Sequence, residues 1–235
     1  AERGAVTVWE GGRMDGQTID RGDDGLVASS QRVYDRSAGY YVESVGTQVT
    51  PGIEAPLEIA LLDVVARDAM ARGAVLDAGC GPGRISARIA ALGGETLGFD
   101  YARGMVDAAR AAHPSLEFTV GDLCALDLGG RTFGGTIAWY SIISTPPDRL
   151  GEIAASLAAV VEPDGPLLLA FQAGAGEVVV RDRYDVEQLG LWRHDVQVVV
   201  DAFATAGWAE EARTVRQASL EWEDTPQAFV LFRRR

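Results

Sequence analysis

The chain reads as an α/β protein with a mainly parallel sheet and helices on both faces. Three observations predict this. Residues 74–92 run strand, glycine turn, helix. Apolar strand-like segments then alternate with helical ones as far as residue 172. The C-terminal segment reads as two strands, 208–217 and 226–233, turning at Asp224-Thr-Pro226 and closing the sheet as an antiparallel hairpin.

In chain order, residues 1–25 are rich in Gly and Asp without a clean period, and predict a weakly ordered leader. Val6 to Trp9 is a candidate short edge strand, and Met14 a candidate natural start. Leu26 to Val45 predicts a helix, with Val33, Tyr34, Ser37 and Tyr41 at helical spacing. After the break at Thr50-Pro-Gly, Ala55 to Ala71 predicts a second helix, with Leu57, Ala60, Leu61, Val64, Val65 and Ala69 as its apolar face. The glycine turn follows, and its helix carries Ile85, Ile89 and Leu92 on one side. Strands are expected at 95–100, 116–121 and 133–140, and a helix at about Arg103 to Ala112. His113-Pro114 stops that helix, which makes His113 a C-terminal residue in favourable dipole position. Asp148 to Val161 predicts a helix, and Pro166 to Gln172 a strand buried on both faces. Ala173 to Gly176 reads as a hinge-like loop. Residues 177–194 carry charge and aromatics, and Asp195 to Ala206 predicts the last helix, ended by Gly207.

Bulk properties narrow the function. The 235 residues suit one α/β domain, and 47% hydrophobic with 23% charged residues is ordinary globular composition. A net charge of −13 disfavours nucleic acid and anionic membrane surfaces as partners. No apolar run reaches the ~18 residues of a membrane helix, and no secretory signal is visible. All 21 basic residues are arginine, which excludes lysine chemistry. The two cysteines, Cys80 and Cys124, form no disulfide framework and are expected to be reduced and buried. With only His113 and His194 as histidines, no metal site is expected.

The chemistry-bearing stretch is Val75-Leu-Asp-Ala-Gly-Cys-Gly-Pro-Gly-Arg-Ile85. Glycines let a ligand approach the backbone, and the helix start that follows offers unpaired N–H groups. The dinucleotide fingerprint G-x-G-x-x-G fails at its third glycine, which is Arg84 here. A phosphate loop ending in Lys fails because there is no lysine. What remains is Asp77-x-Gly79-x-Gly81-x-Gly83, followed by strands ending at Asp100, at Gly121-Asp122 and at Tyr140, the last before Pro146-Pro147. These four motifs, in order over about half the chain, resemble the class I S-adenosylmethionine-dependent methyltransferases, in particular their bacterial small-molecule branch. The resemblance spans roughly Tyr34 to the C-terminus.

The resemblance implies a Rossmann-like seven-stranded sheet of order 3-2-1-4-5-7-6. It implies one methyltransferase domain over 26–235: lid helices at 26–72, a cofactor-binding core at 73–172, a substrate cap at 173–195, and a last helix and hairpin at 196–235. The implied cofactor is S-adenosylmethionine, with S-adenosylhomocysteine as product. Gly79, Gly81 and Gly83 would pass beneath its methionine and ribose, and Asp77 would hold its amino end. Asp100 would accept both ribose hydroxyls. Asp122 would bond the adenine amino group, with Leu123 supplying a backbone N–H. Tyr101 and Met105 would pack on the adenine, and Tyr34 and Tyr41 would touch the methionine end. Read from the residues alone, Asp77 could cap the next turn, Asp100 a helix, and Asp122 could be a turn residue. Tyr140, Ser144, Phe171, Tyr184 and Trp192 are candidates for the substrate wall or, equally, for core. Many relatives carry histidine at the position of Ser144, where this chain departs. His194 is the only histidine placed to act as a base; its alternative is a surface residue before a helix. The expected activity is methyl transfer to O, N or C of a small molecule, a secondary metabolite, by a cytoplasmic monomer or homodimer. A non-catalytic S-adenosylmethionine-binding protein and an NAD-dependent oxidoreductase are the alternatives.

Overall fold

The computed structural model describes residues 23–183 and 187–235. Residues 1–22 of the expected leader, including Val6 to Trp9, and Tyr184 lie outside the described residues, while the leader's last three residues, Asp23 to Gly25, already belong to a helix. The first helix, α1, spans Asp23–Val45 and starts on two acids, which favour a helix N-terminus. Helix α2 is Pro56–Met70. Pro56 stands at its start, and Glu58 Oε2 accepts the Ala55 N–H at 2.9 Å, so an otherwise unpaired donor is satisfied. Its buried stripe is Leu62, Val65, Ala66 and Ala69. Leu57 and Val64, expected inside, are 46% and 66% exposed. The helix is rotated from the face that simple counting of apolar residues selects, because Leu62 and Ala66 meet the sheet.

The strands then alternate with helices. β1 is Val75–Ala78, α3 Arg84–Ala91, β2 Thr96–Asp100, α4 Arg103–Ala112, β3 Glu117–Val120, β4 Gly135–Trp139, α5 Leu150–Val160 and β5 Pro166–Gln172. A hairpin of β6, Val178–Arg183, and β7, Glu187–Trp192, comes next, followed by α6, Val196–Thr205, β8, Trp208–Arg216, and β9, Gln227–Arg234. The main sheet has the order β3-β2-β1-β4-β5-β9-β8, with β9 antiparallel to both neighbours. That is the expected order of seven strands. The hairpin β6–β7 forms a separate two-stranded sheet, so the segment predicted only as a cap has regular structure.

Alternation along each strand divides the core in two. Leu76, Ala138, Leu167, Leu169 and Phe171 pack with α5 and α6. Val75, Ile137, Trp139, Leu168 and Ala170 pack with α2 and α3. Asp77 shares the parity of Val75 and so faces α3. In a parallel sheet of this winding, ligands lie beyond the carboxyl ends of the strands, and the remaining features converge on that rim. Among the described residues, no helix is long and apolar enough to cross a membrane.

Candidate active site

At the tip of β1, Asp77 is fully buried. Its Oδ2 accepts from the Ser86 backbone N–H at 2.8 Å and the Ser86 hydroxyl at 2.6 Å, which ties the strand to the first turn of α3. Its Oδ1 has no partner in the protein. Burial pushes this carboxyl up to about 7, against the bonds from Ser86. The loop between strand and helix needs its glycines. Gly79 has φ +82, and a Cβ there would lie 2.1 Å from that of Ser141. Gly83, at φ +84, is backed by the rings of His113 and Phe118.

Asp100 ends β2 and is also buried. Its Oδ2 accepts from Gly81 N–H at 2.8 Å and its Oδ1 from Ala102 N–H at 2.9 Å. Burial raises it to about 6, with these backbone bonds opposing. Each carboxylate oxygen keeps a second lone pair for a ligand. Beside it, Tyr34, Tyr41, Tyr101 and Met105 form one cluster between α1 and α4. The Tyr34 ring lies 6.2 Å from Tyr41 and 6.3 Å from Tyr101. Helix α1 is held in place by Gln31, which donates to the Tyr101 carbonyl, and by Asp35, which accepts from Gly104 N–H. The same stretch of α1 is fastened to β7 through Ser29 and Ser30, which accept from the N–H groups of Gln188 and Gly190.

The other half of the rim lies past β4. Tyr140 has φ 56, a conformation that non-glycine residues rarely hold and that marks functional sites. Its ring packs edge-on to Trp139 at 5.8 Å. Burial first, then Glu58 and Glu223, push its hydroxyl far up, so it stays protonated. Those two carboxylates share Arg216, whose Nε donates to Glu58 at 3.0 Å and whose Nη1 donates to Glu223 at 2.6 Å. A second buried pair, Glu54 with Arg84, flanks α2.

Native proteins pair nearly all buried polar groups. Among the described residues, the exceptions on side chains lie at this rim or on the segments that cap it. They are Asp77 Oδ1, Tyr101 OH, Tyr140 OH, Ser141 Oγ, Arg193 Nε, His194 Nδ1 and Gln227 Oε1. Two buried carboxyls, one with an open oxygen, over a glycine loop fit a ligand that carries hydroxyls and positive charge.

The rim brings together Asp77, the three glycines, Asp100, Tyr101, Met105, Tyr34 and Tyr41. Asp122 is exposed and caps a short 3-10 turn that Leu123 opens, its Oδ1 accepting from Cys124 N–H at 2.8 Å. Ser144 is buried in the loop past β4. Cys80 is buried as expected, but Cys124 is only partly so. Three expectations need correction. Phe171 is fully buried in the core and Trp192 is 2% exposed, so neither forms an open wall; both strands carrying them pack their aromatic rings inward. His194 is no surface residue either. It is fully buried, its Nε2 is bonded to the Ile142 carbonyl at 3.0 Å, and burial lowers its pKa. Through Nε2 it ties the end of the cap to the loop past β4, while its Nδ1 has no partner in the protein. Arg84, noted only as a broken fingerprint, is a buried partner of Glu54. Ser141, Gln227 and the Glu58–Arg216–Glu223 bridge went unread. Glu58 carried a faint signal three residues past Ala55-Pro, and the others carried none.

Residues 75–165 match a family model described as a methyltransferase domain. Over 91 residues the chain is 33% identical to malonyl-[acyl-carrier protein] O-methyltransferase of Pseudescherichia vulneris. That alignment covers 39% of this chain and 36% of the relative, so the match spans about a third of the curated protein's length. Among solved structures, the chain resembles DhpI in complex with SAH at a TM-score of 0.68 and 19% identity, covering 90% of this chain and 98% of that one. It also resembles magnesium protoporphyrin IX methyltransferase of Synechocystis PCC 6803 with bound SAM, at 0.64 and 17% identity, over 93% and 100% of the two chains.

Proposed function

We infer the reaction from the chain's place, through residues 75–165, in the class I S-adenosylmethionine-dependent methyltransferase family: it transfers a methyl group from S-adenosylmethionine to a small-molecule acceptor. The observation that carries this reading is the pair of buried carboxyls, Asp77 and Asp100, at adjacent strand tips over the glycine loop. Asp100 keeps lone pairs for the two ribose hydroxyls, and the open Asp77 Oδ1 suits the amino end. Asp122 retains Oδ2 for the adenine amino group, and Leu123 its N–H. Tyr101 and Met105 would cover the adenine, and Tyr34 and Tyr41 of α1 would close over the methionine end.

When bound, the cofactor supplies a methyl group already activated on a sulfonium. The protein's work is then to orient the acceptor and exclude water, which can contribute roughly 7–11 kcal/mol at its limit. Helix α1, fixed to α4 on one side and β7 on the other, serves as the cover. With Ser144 in place of a histidine and His194 fully buried, its Nε2 bonded to Ile142, we assign no general base; proximity drives the step. A secondary metabolite remains our reading of the acceptor.

The same lack of a base favours a second reading, a binding protein that holds S-adenosylmethionine without turnover. Incubation with methyl-labelled cofactor and cell extract separates the two. Label transfer that depends on the protein supports the enzyme; cofactor binding by calorimetry with no transfer supports the second reading; no binding overturns both.

A further inference from the structure

Resting on the methyltransferase reading, we propose that the acceptor is an amine, held at the tips of β4 and β9 by Tyr140 and Gln227 beside the Glu58–Arg216–Glu223 bridge. Gln227 is fully buried. Its Nε2 donates to the Thr225 carbonyl at 2.7 Å, which fixes the amide orientation and leaves Oε1 without a partner. A carbonyl oxygen only accepts, so the missing partner is a donor. Gln227 stands opposite Arg216 in the β8–β9 register, so the two side chains share a face of the sheet. Arg216 in turn holds Glu58 of α2 and Glu223 of the β8–β9 connection. Close enough to feel the charges of this bridge is the Tyr140 hydroxyl, buried and unpaired, on a residue with strained backbone.

Charge selects among donors. Around Tyr140 stand Glu58, Glu223 and Glu54. Arg216 serves the first two and Arg84 the third, which leaves one negative charge over. A carboxylate acceptor would bring an anion to this field and set its oxygens against Gln227 Oε1. An ammonium group brings N–H donors and the opposite charge, and a neutral alcohol brings only the donor. On transfer, the deprotonated nitrogen supplies the electron pair for the new N–CH3 bond. That nitrogen gives its proton to bulk water before the cover closes; on transfer the S–CH3 pair stays on sulfur as a neutral thioether, and the methylated nitrogen takes over the positive charge.

The test titrates phenethylamine, 2-phenylethanol and phenylacetate into the wild-type protein saturated with S-adenosylhomocysteine, using calorimetry. The expected order is amine, then alcohol, then carboxylate, with at least tenfold between first and last. Tyr140→Phe and Gln227→Leu should each reduce amine affinity several-fold, while S-adenosylhomocysteine affinity stays within twofold. Equal or tighter binding of phenylacetate, binding of none of the three, or an amine preference that survives in both variants overturns the proposal. Failure of the wild type to bind S-adenosylhomocysteine would instead break the methyltransferase reading beneath it.

Discussion

The two halves of the rim are built on different length scales. In the cofactor half, Asp77 meets Ser86 nine residues on, and Gly81 meets Asp100 nineteen residues on. In the acceptor half, Glu58 meets Arg216 across a separation of 158 residues. The carboxyl pair of the first half is a local device. Two adjacent strands, one glycine turn and one helix start suffice to aim Asp77 and Asp100. The second exists only when α2, β4 and the β8–β9 hairpin are assembled, and it is held by ion pairs that are nearly dry.

The largest expected effect tests the local half. Asp100→Ala should abolish measurable cofactor binding, since each hydrogen bond to a charged group is worth roughly 1.5–3 kcal/mol and two ribose hydroxyls lose their acceptor. Calorimetry that finds affinity unchanged would place the ribose elsewhere and end the division of roles. The assembled half should instead fail in stability. Arg216→Met strands the buried carboxylates of Glu58 and Glu223. A loss of about 3 kcal/mol is expected in urea unfolding, and a loss under about 0.5 kcal/mol, the scale of an ordinary surface change, would show the bridge to be idle.

A smaller effect concerns pH. Asp77 and Asp100 are raised by burial to about 7 and about 6. The unfolded chain therefore gives up these protons first, and stability without cofactor should fall as pH rises from about 4 toward 7. Asp77→Asn should flatten that decline relative to wild type when melting is followed from pH 4 to 8; identical slopes would mean that the carboxyl ionises normally. The smallest effect is expected at Asp122, which is exposed and occupied as a turn cap. Asp122→Ala should weaken cofactor binding by about 1 kcal/mol. A far larger loss would make the adenine contact as important as the ribose contact.

The contrast also marks how far the residues could be read in a line. The Asp77 loop and Asp100 were legible because each rests on a run shorter than one strand and one helix, where backbone geometry permits few alternatives; the strand order followed from the family resemblance that those motifs carry. The aromatic candidates for the substrate wall were not. Phe171 and Trp192 have the same composition whether they line a cleft or fill a core, and packing put them inside. The face of α2 was missed for a related reason: several apolar stripes were available on it, and the sheet accepted the one through Leu62 and Ala66.

By itself, the amino-acid sequence determined the alternation of strands and helices, the glycine turn, and the acids at its strand tips, because apolar periodicity and backbone freedom act over a few residues. Only the tertiary structure decided that His194 is buried against Ile142, that Arg216 bridges two glutamates, and that Gln227 presents an open carbonyl oxygen. Burial and pairing belong to groups that meet through space, and no local pattern records which distant partner a side chain will find.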